Sequence, residues 1–367
     1  MKRVLVFGVT ENPGGVEVFL LNYYRRLDKN VLQCDFLCNS HKPMAYEDEF
    51  LSMGARVFHI TPRRENPLAF RRELTRLYKR HADEWDAVWV NVNSLANVDY
   101  LKYAKRYGIK RRIIHSHSAN MDNWLRALLH HWNRNRIEKY ATDFWACSSN
   151  AARWFYRSKL LPKAVIIHNA IDVGKMAFDS TVRENMRYEL DCEGCMVIGN
   201  VGRLRFEKNQ LLALQILKAI LDKGVKAKLI LVGSGEDEQM LREKSVALGI
   251  DRDVVFAGFQ PDVGAWMNVF DVFLFPSLFE GLGIAAIEAQ ANGLPVAASE
   301  EGVPKEARLN DNFCFVSLKQ NPEIWAAKVI DLATKGRVDM PEIKRRFMES
   351  GYDITGEVSR LEGLLKQ

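Results

Sequence analysis

Two carboxylates, Glu280 and Glu288, are separated by seven residues in the stretch FPSLFEGLGIAAIEAQANGLPVAAS, residues 275–299. They lie on either side of a glycine-containing turn into an apolar helix. The run FDVFLFP before them reads as a buried parallel strand, and Gly281 and Gly283 let the chain turn sharply. IAAIEAQA then has helix-forming composition until Gly293 and Pro295 stop it. A helix N-terminus presents free N–H groups and a partial positive charge. The backbone of Gly281, Leu282, Gly283 and Ile284 can therefore receive a diphosphate or a sugar hydroxyl, with Glu280 at the mouth of the turn. Glu288, more than one helical turn further in, reaches a more distant group of the same ligand, such as vicinal ribose hydroxyls. The pair reads as two ends of one sugar-nucleotide site.

In VGRLRFEKN, Arg203 follows Gly202 at a strand end, and Lys208 comes five residues later at an expected helix start. Two cations on one loop suit a diphosphate leaving group. Negative charge grows on that group as its glycosidic bond breaks, so they stabilise the transition state more than the ground state. Gly14 and Gly15 follow the first strand, where a missing Cβ lets a ligand approach. His115 and His117 end the strand RRIIHSH. Alternation along an extended chain turns both to one face and Ser116 to the other.

The elements that must position these groups are legible as alternation. VLVFG, CDFLC, ARVFHI, AVWVNV, RRIIHSH, DFWACS and AVIIHNAID are each short and apolar, with helical patterns between most of them. A polar stretch from Val173 to Glu193 interrupts the pattern. MVIGNVG, AKLILVGSG, DVVFAGF, FDVFLFP, LPVAAS and NFCFVSL restart it. Repeated βα units predict parallel sheets, and 367 residues at 47% apolar exceed one ordinary core. The expectation is two doubly wound Rossmann-like α/β domains, 1–172 and 173–352. Their ligand loops face a central cleft, and a last helix, 353–367, has apolar spacing that needs a partner surface.

These motifs, in this order, resemble the retaining nucleotide-sugar glycosyltransferases of the GT-B fold, whose signature is two glutamates separated by seven residues. The resemblance runs through Gly14-Gly15, HSH at 115–117, ACSS at 146–149, HNAID at 168–172, VGRLRFEKN at 201–209 and LVGSGE at 231–236. It implies an N-terminal acceptor domain joined by the last helix, and a C-terminal domain that binds the nucleotide sugar, a UDP-sugar above all. It also gives individual roles. Arg203 and Lys208 would hold the diphosphate, Gly15 would lie beside it, and Phe259 and Gln260 would meet the base. Glu280 would position the sugar, and His117 would touch it. Gly14 and His115 would lie on the acceptor side. The product would be a hexosyl or N-acetylhexosaminyl group transferred to a saccharide or lipid-linked saccharide in exopolysaccharide or capsule synthesis. Two other readings keep the fold: a UDP-sugar epimerase, and an inactive sugar-nucleotide-binding partner subunit.

Asp251-Arg252-Asp253 imitates a metal-binding DxD motif but occupies a polar turn before a strand. Because Arg203 and Lys208 already answer the diphosphate charge, no metal is expected. Cys192 and Cys195 have redox spacing without a second pair and read as a turn; six dispersed cysteines make no disulfide framework. No apolar run reaches the roughly 18–20 residues of a membrane span, and Met1-Lys2-Arg3 leads directly into a strand, so a cytoplasmic protein is expected. Residues 1–185 carry 30 basic and 19 acidic side chains, a net of +11, while residues 186–367 carry 22 and 27, a net of −5. The basic half includes Arg63, Arg64, Arg71, Arg72, Arg76, Lys79, Arg80, Lys102, Lys105, Arg106, Lys110, Arg111 and Arg112. Trp124, Leu125, Leu128, Leu129 and Trp132 recur at helical spacing beside Arg126, His130, His131, Arg134, Arg136 and Lys139. This is either a basic amphipathic helix for an anionic membrane, rather than a nucleic acid, or a helix packed on the core.

Overall fold

The computed structural model describes residues 1–117 and 124–366. The chain divides into two units: Met1–Ala170 with Ile354–Gln367, and Ile171–Asp353. The first contains strands β1 (Lys2–Phe7), β2 (Leu32–Cys38), β3 (Arg56–His59), β4 (Ala87–Val92), β5 (Arg111–Ser116), β6 (Asp143–Ala146) and β7 (Ala164–Ile166). Its helices are α1 (Gly15–Arg26), α2 (Glu47–Ser52), α3 (Pro67–His81), α4 (Asp99–Arg106), α5 (Trp124–Arg134) and α6 (Ser149–Phe155). The second holds α7 (Ser180–Glu189), β8 (Met196–Val201), α8 (Gln210–Asp222), β9 (Ala227–Val232), α9 (Glu238–Ala247) and β10 (Val254–Gly258). It continues with α10 (Val263–Val269), β11 (Val272–Phe275), α11 (Ile284–Ala291), β12 (Val296–Ser299), β13 (Phe313–Val316), α12 (Pro322–Lys335) and α13 (Met340–Ser350). Helix α14 (Ile354–Lys366) belongs to the first unit, where Ile354, Val358, Leu361 and Leu365 are buried with Phe19, Leu20 and Tyr24 of α1.

Every strand pair is parallel, in the orders β3-β2-β1-β4-β5-β6-β7 and β10-β9-β8-β11-β12-β13. Both orders reverse beside the unit's first strand, at β1/β4 and at β8/β11. The loops after those strands diverge there and leave room for a ligand at the carboxyl edge. Helices cover both faces, so the strands are apolar throughout and alternate residues feed separate cores. Val4 and Val6 join one cluster while Leu5 joins the other, and Ile198 and Val197 divide the same way in the second unit.

Two expectations change. The polar stretch 173–193 contains α7, which buries none of its own side chains. Asp179 caps it through Thr181 and Val182, and Arg183 and Arg187 hold it by donating to the Val269 carbonyl and pairing with Asp271. In α5 the side turned inward is polar. His130 Nδ1 accepts from Leu95 N at 3.1 Å and Asn133 Nδ2 donates to Leu95 O at 2.7 Å. Leu128 and Trp132 point outward, 60% and 56% exposed, with Leu129 beside them and the Arg136 guanidinium over the Trp132 ring. Packing of its apolar side on the core is therefore excluded for the described residues, and His130 leaves the basic face; the side chains of Trp124, Leu125 and Arg126 lie outside them. Several cations of the basic half are also committed: Arg63 and Lys102 to Asp99, Arg111 to Asp143, and Arg112 to the carbonyls of Tyr140 and Ile109. Arg71, Arg72, Arg76, Lys79 and Arg80 remain on the exposed side of α3.

Candidate functional site

In the second unit the loops after β8 and β11, the two strands that flank the reversal, are fastened together. Leu278 N donates to Glu207 O at 2.8 Å and Asn209 Nδ2 to Pro276 O at 3.1 Å. That fastening sets Lys208 Nζ 2.6 Å from Glu280 Oε1, although 72 residues separate them in sequence, with both side chains largely buried. Lys208 occupies a single 3-10 turn, Phe206–Lys208. It is followed by Asn209 in the left-handed region (φ 55°), so α8 starts after the lysine rather than at it. The glycines of LVGSGE permit this crowding: a Cβ on Gly233 would come 2.0 Å from Gly202 O, and one on Gly235 2.2 Å from Leu204 O. Arg203 is exposed on the same loop, its carbonyl accepting from Gln210 Nε2.

Gly283 precedes α11 at φ 86°, and a Cβ there would meet the Phe275 ring at 2.9 Å, so glycine is needed on both counts. No side chain caps this helix, which leaves the N–H groups after Leu282 and Gly283 open to a ligand. Glu288, one turn further along, is half-buried, and among the described residues its carboxylate makes no hydrogen bond or ion pair. Burial pushes its pKa up to about 7. The two acids thus differ: Glu280 is tied to a cation and Glu288 is unpaired. Phe259, after β10, is 70% exposed and so is not core, whereas the Gln260 side chain donates back to Ala257 O of β10.

In the first unit, Gly14 and Gly15 are exposed at the start of α1. Glu17, two residues in, is buried and accepts from Thr10 N and Thr10 Oγ1 at 3.0 and 2.8 Å, which pins the loop after β1; a Cβ on Gly14 would press on its carboxylate at 2.9 Å. His115 and His117 lie on one side of the β5 edge with ring centroids 4.1 Å apart. They are not equivalent. His115 is fully buried beneath His117, among Phe19, Trp89 and Trp145, so it is a floor and has no exposed contact surface. His117 is partly buried, with its Nδ1 covered. Burial pulls both imidazoles down, His117 to about 3, so both are neutral at physiological pH.

Sequence reasoning missed a cavity of about 580 Å³ at the carboxyl ends of β1, β2 and β3, bounded in part by Glu11, Asn39, Ser40, Lys42, Arg64 and Glu65. Among the described residues Asn39 Oδ1 is buried there without a partner, and Ser40 Oγ donates to Glu11. These residues sit in no motif; the signal was their common position after consecutive parallel strands. Asp251–Asp253 forms a short turn before β10, and Cys195 Sγ donates to Cys192 O in the turn before β8. Among the described residues, no three His, Cys, Asp or Glu side chains form a metal-binding group, and no helix is long and apolar enough to cross a membrane.

Residues 195–335 match the family model "Glycosyl transferases group 1" and residues 13–175 match "Glycosyltransferase Family 4", one in each unit. A putative glycosyltransferase of Bacillus subtilis, EpsF, is 29% identical over 98% of this chain and 95% of its own length. The capsular polysaccharide biosynthesis glycosyltransferase CapM of Staphylococcus aureus is 29% identical over 52% of this chain and 51% of its own. Among solved structures, Anabaena HepE in complex with UDP superposes with a TM-score of 0.77 at 17% identity, covering 100% of this chain and 99% of that one. The complex of HepE with UDP-glucose gives 0.74 at 18%, with the same coverage.

Proposed function

We propose that this chain, a glycosyltransferase of the GT-B fold, moves a hexosyl or N-acetylhexosaminyl group from a UDP-sugar to a saccharide or lipid-linked saccharide, with retention at the anomeric carbon, in cell-surface polysaccharide synthesis. The observation that carries the reading is the meeting of Lys208, Glu280 and the uncapped start of α11 at the sheet reversal, with an unpaired Glu288 one turn beyond. Lys208, Arg203 and the N–H groups at Gly283 and Ile284 take the diphosphate. Glu288 accepts from the ribose hydroxyls, and the exposed ring of Phe259 offers a face to the base. Glu280 accepts from a sugar hydroxyl. Its ion pair with Lys208 makes it a positioning carboxylate rather than a free nucleophile, which favours transfer on one face of the sugar. The bond from the anomeric carbon to the phosphate oxygen breaks, and that oxygen takes the acceptor's proton as the new glycosidic bond forms. Charge developing on the diphosphate falls beside the two cations, so the reading needs no metal.

The cavity after β1–β3 offers both donors and acceptors to a saccharide and is the acceptor site in this reading, next to Gly14 and Gly15. The outward Leu128, Leu129 and Trp132, with the Arg136 guanidinium over the Trp132 ring, form an apolar strip with a basic edge that suits an anionic membrane holding a lipid-linked acceptor, while Arg134 is turned to the carbonyls of Arg153 and Tyr156. The relatives' printed functions and the UDP complexes of HepE support the pathway and the uridine base. The test is calorimetric titration with UDP, GDP, ADP and dTDP, in EDTA and in magnesium. UDP should bind in both buffers and lose affinity in Lys208→Ala and Glu288→Ala. Binding of none of the four, or equal binding by wild type and both variants, would overturn the donor site.

A further inference from the structure

We propose that Asn91 is a positioning residue that holds His117 with its proton on Nε2, leaving the Nδ1 lone pair as a hydrogen-bond acceptor for a sugar hydroxyl. The second half of this statement rests on the reading of His117 as a sugar-site residue; the first half stands on geometry alone. Asn91 lies in β4, beside the reversal of the first sheet, and is 2% exposed. Its side chain has two neighbours: the Phe7 carbonyl, 3.3 Å from Nδ2, and His117 Nε2, 2.9 Å from Oδ1.

A backbone carbonyl only accepts, so the Asn91 NH₂ must face Phe7 and its oxygen must face the histidine. The reverse orientation would set two oxygens against each other and lose a hydrogen bond. An amide oxygen in turn needs a donor, which obliges His117 to carry its proton on Nε2. Nδ1 is then bare, and among the described residues it is a buried atom with no partner.

The rest of the neighbourhood holds this arrangement in place. Residue 8 is glycine at φ 135°, and a Cβ there would come 2.6 Å from both the Cβ and the carbonyl oxygen of Asn91. Gly8 therefore makes the space that Asn91 occupies at the end of β1. His117 N donates to Val92 O at 3.2 Å, which fixes the backbone beneath the ring. The Phe19 ring of α1 packs edge-on against the imidazole, and His115 of β5 closes the other side. Among the described residues the titratable group facing His117 is His115, which is itself buried and neutral. The ring enters the reaction as a neutral acceptor of fixed polarity, so it selects a hydroxyl that donates and rejects a ligand oxygen that can only accept.

The test is nitrogen NMR of the full chain labelled in histidine, with the His117 resonances identified by their loss in His117→Gln. Between pH 6 and 9, wild type should show a protonated Nε2 and an unprotonated Nδ1. Asn91→Leu, which keeps the volume and removes the amide, should release the tautomer. It should also lower kcat by about two- to tenfold with little change in KM for the sugar nucleotide, the size of one neutral hydrogen bond. Asn91→Asp places a carboxylate at Nε2 and should raise the pH at which His117 protonates, so that its transfer activity climbs with pH across a range where wild type is flat. Unchanged resonances of the other first-unit histidines report that the variants are folded there, and UDP affinity, which belongs to the other unit, separates this proposal from the donor-site reading. A wild-type proton on Nδ1, or an unchanged tautomer in Asn91→Leu, would overturn the proposal. The wild-type spectrum decides the first point even if both variants fail to fold.

Discussion

Glu288→Gln should make the protein more stable and bind UDP less well, both in a pH-dependent way. The carboxyl's pKa stands at about 7 in the folded chain because burial penalises its charged form, against an ordinary value of 4.5. Between those two pH values the folded state holds more protons than the unfolded state, so stability falls as pH rises. The carboxyl imposes no penalty below pH 4.5 and its full penalty above pH 7. A shift of this size corresponds to at most about 3 kcal/mol. Glutamine cannot ionise, so the variant should gain up to that amount at pH 8 and almost nothing at pH 4.5. For a unit of this size that is a rise in Tm of several degrees, on the order of 6–12 °C, before subtracting about 1 kcal/mol for an amide without partners. Thermal unfolding of the two proteins at pH 5 and 8 measures it. Ligand binding should run the other way. If ribose hydroxyls require the carboxylate, UDP affinity of wild type should climb about tenfold from pH 6 to pH 8, with proton release on binding below pH 7. The glutamine variant should bind more weakly and show a flat profile. Equal stability of the two proteins at pH 8 would show that the carboxylate is not desolvated, and a flat wild-type binding profile would remove Glu288 from the ribose site.

Three further outcomes can be measured. If Lys208 holds the diphosphate, Lys208→Ala removes that charged hydrogen bond along with the ion pair to Glu280, so UDP affinity should fall by about 10- to 100-fold by calorimetry. Gly283→Ala adds a Cβ that meets Phe275 at a backbone angle disfavoured for alanine; it should cost about 1–3 kcal/mol in denaturant unfolding and weaken UDP binding as the start of α11 shifts. Replacing Leu128, Leu129 and Trp132 together by serine should reduce cosedimentation with anionic vesicles at least tenfold while leaving UDP affinity unchanged, since these side chains are already in solvent.

The strands and their parallel order were legible because each is apolar, short and bounded by turn residues, and a sheet covered on both faces demands nothing subtler. What stayed hidden was held by contacts distant in sequence. Helix α7 has almost no apolar face to detect; its stability comes from Arg183 and Arg187 reaching Asp271, more than eighty residues away. The apolar residues of α5 pointed to a core contact or a membrane, and only Leu95 decided between inward and outward, because its backbone N–H and C=O needed His130 and Asn133. Spacing identified both histidines of RRIIHSH. It did not separate them, since burial of His115 depends on rings contributed by α1, β4 and β6.

The site follows the same division. The composition of each loop announced its charges: a cation pair after β8, a carboxylate and glycines after β11. Lys208 and Glu280 meet because β8 and β11 are neighbours in the sheet although α8, β9, α9, β10 and α10 intervene in the chain. Their ion pair has a chemical consequence that no single loop contains. A lysine that already faces a carboxylate is a moderated cation, ordered before a diphosphate arrives and still able to share its remaining donors with it. Glu280, neutralised on one side, would keep an oxygen to orient a sugar hydroxyl. A sugar nucleotide bound there would meet an arrangement that is already assembled, so little reorganisation would oppose the transfer of charge to the leaving phosphate. Glu280→Gln should therefore weaken UDP only slightly, because Lys208 survives, yet lower kcat sharply as the sugar hydroxyl exchanges a charged acceptor for a neutral amide oxygen and the lysine loses its ion pair. A variant that lost UDP affinity and kept kcat would place Glu280 on the nucleotide instead.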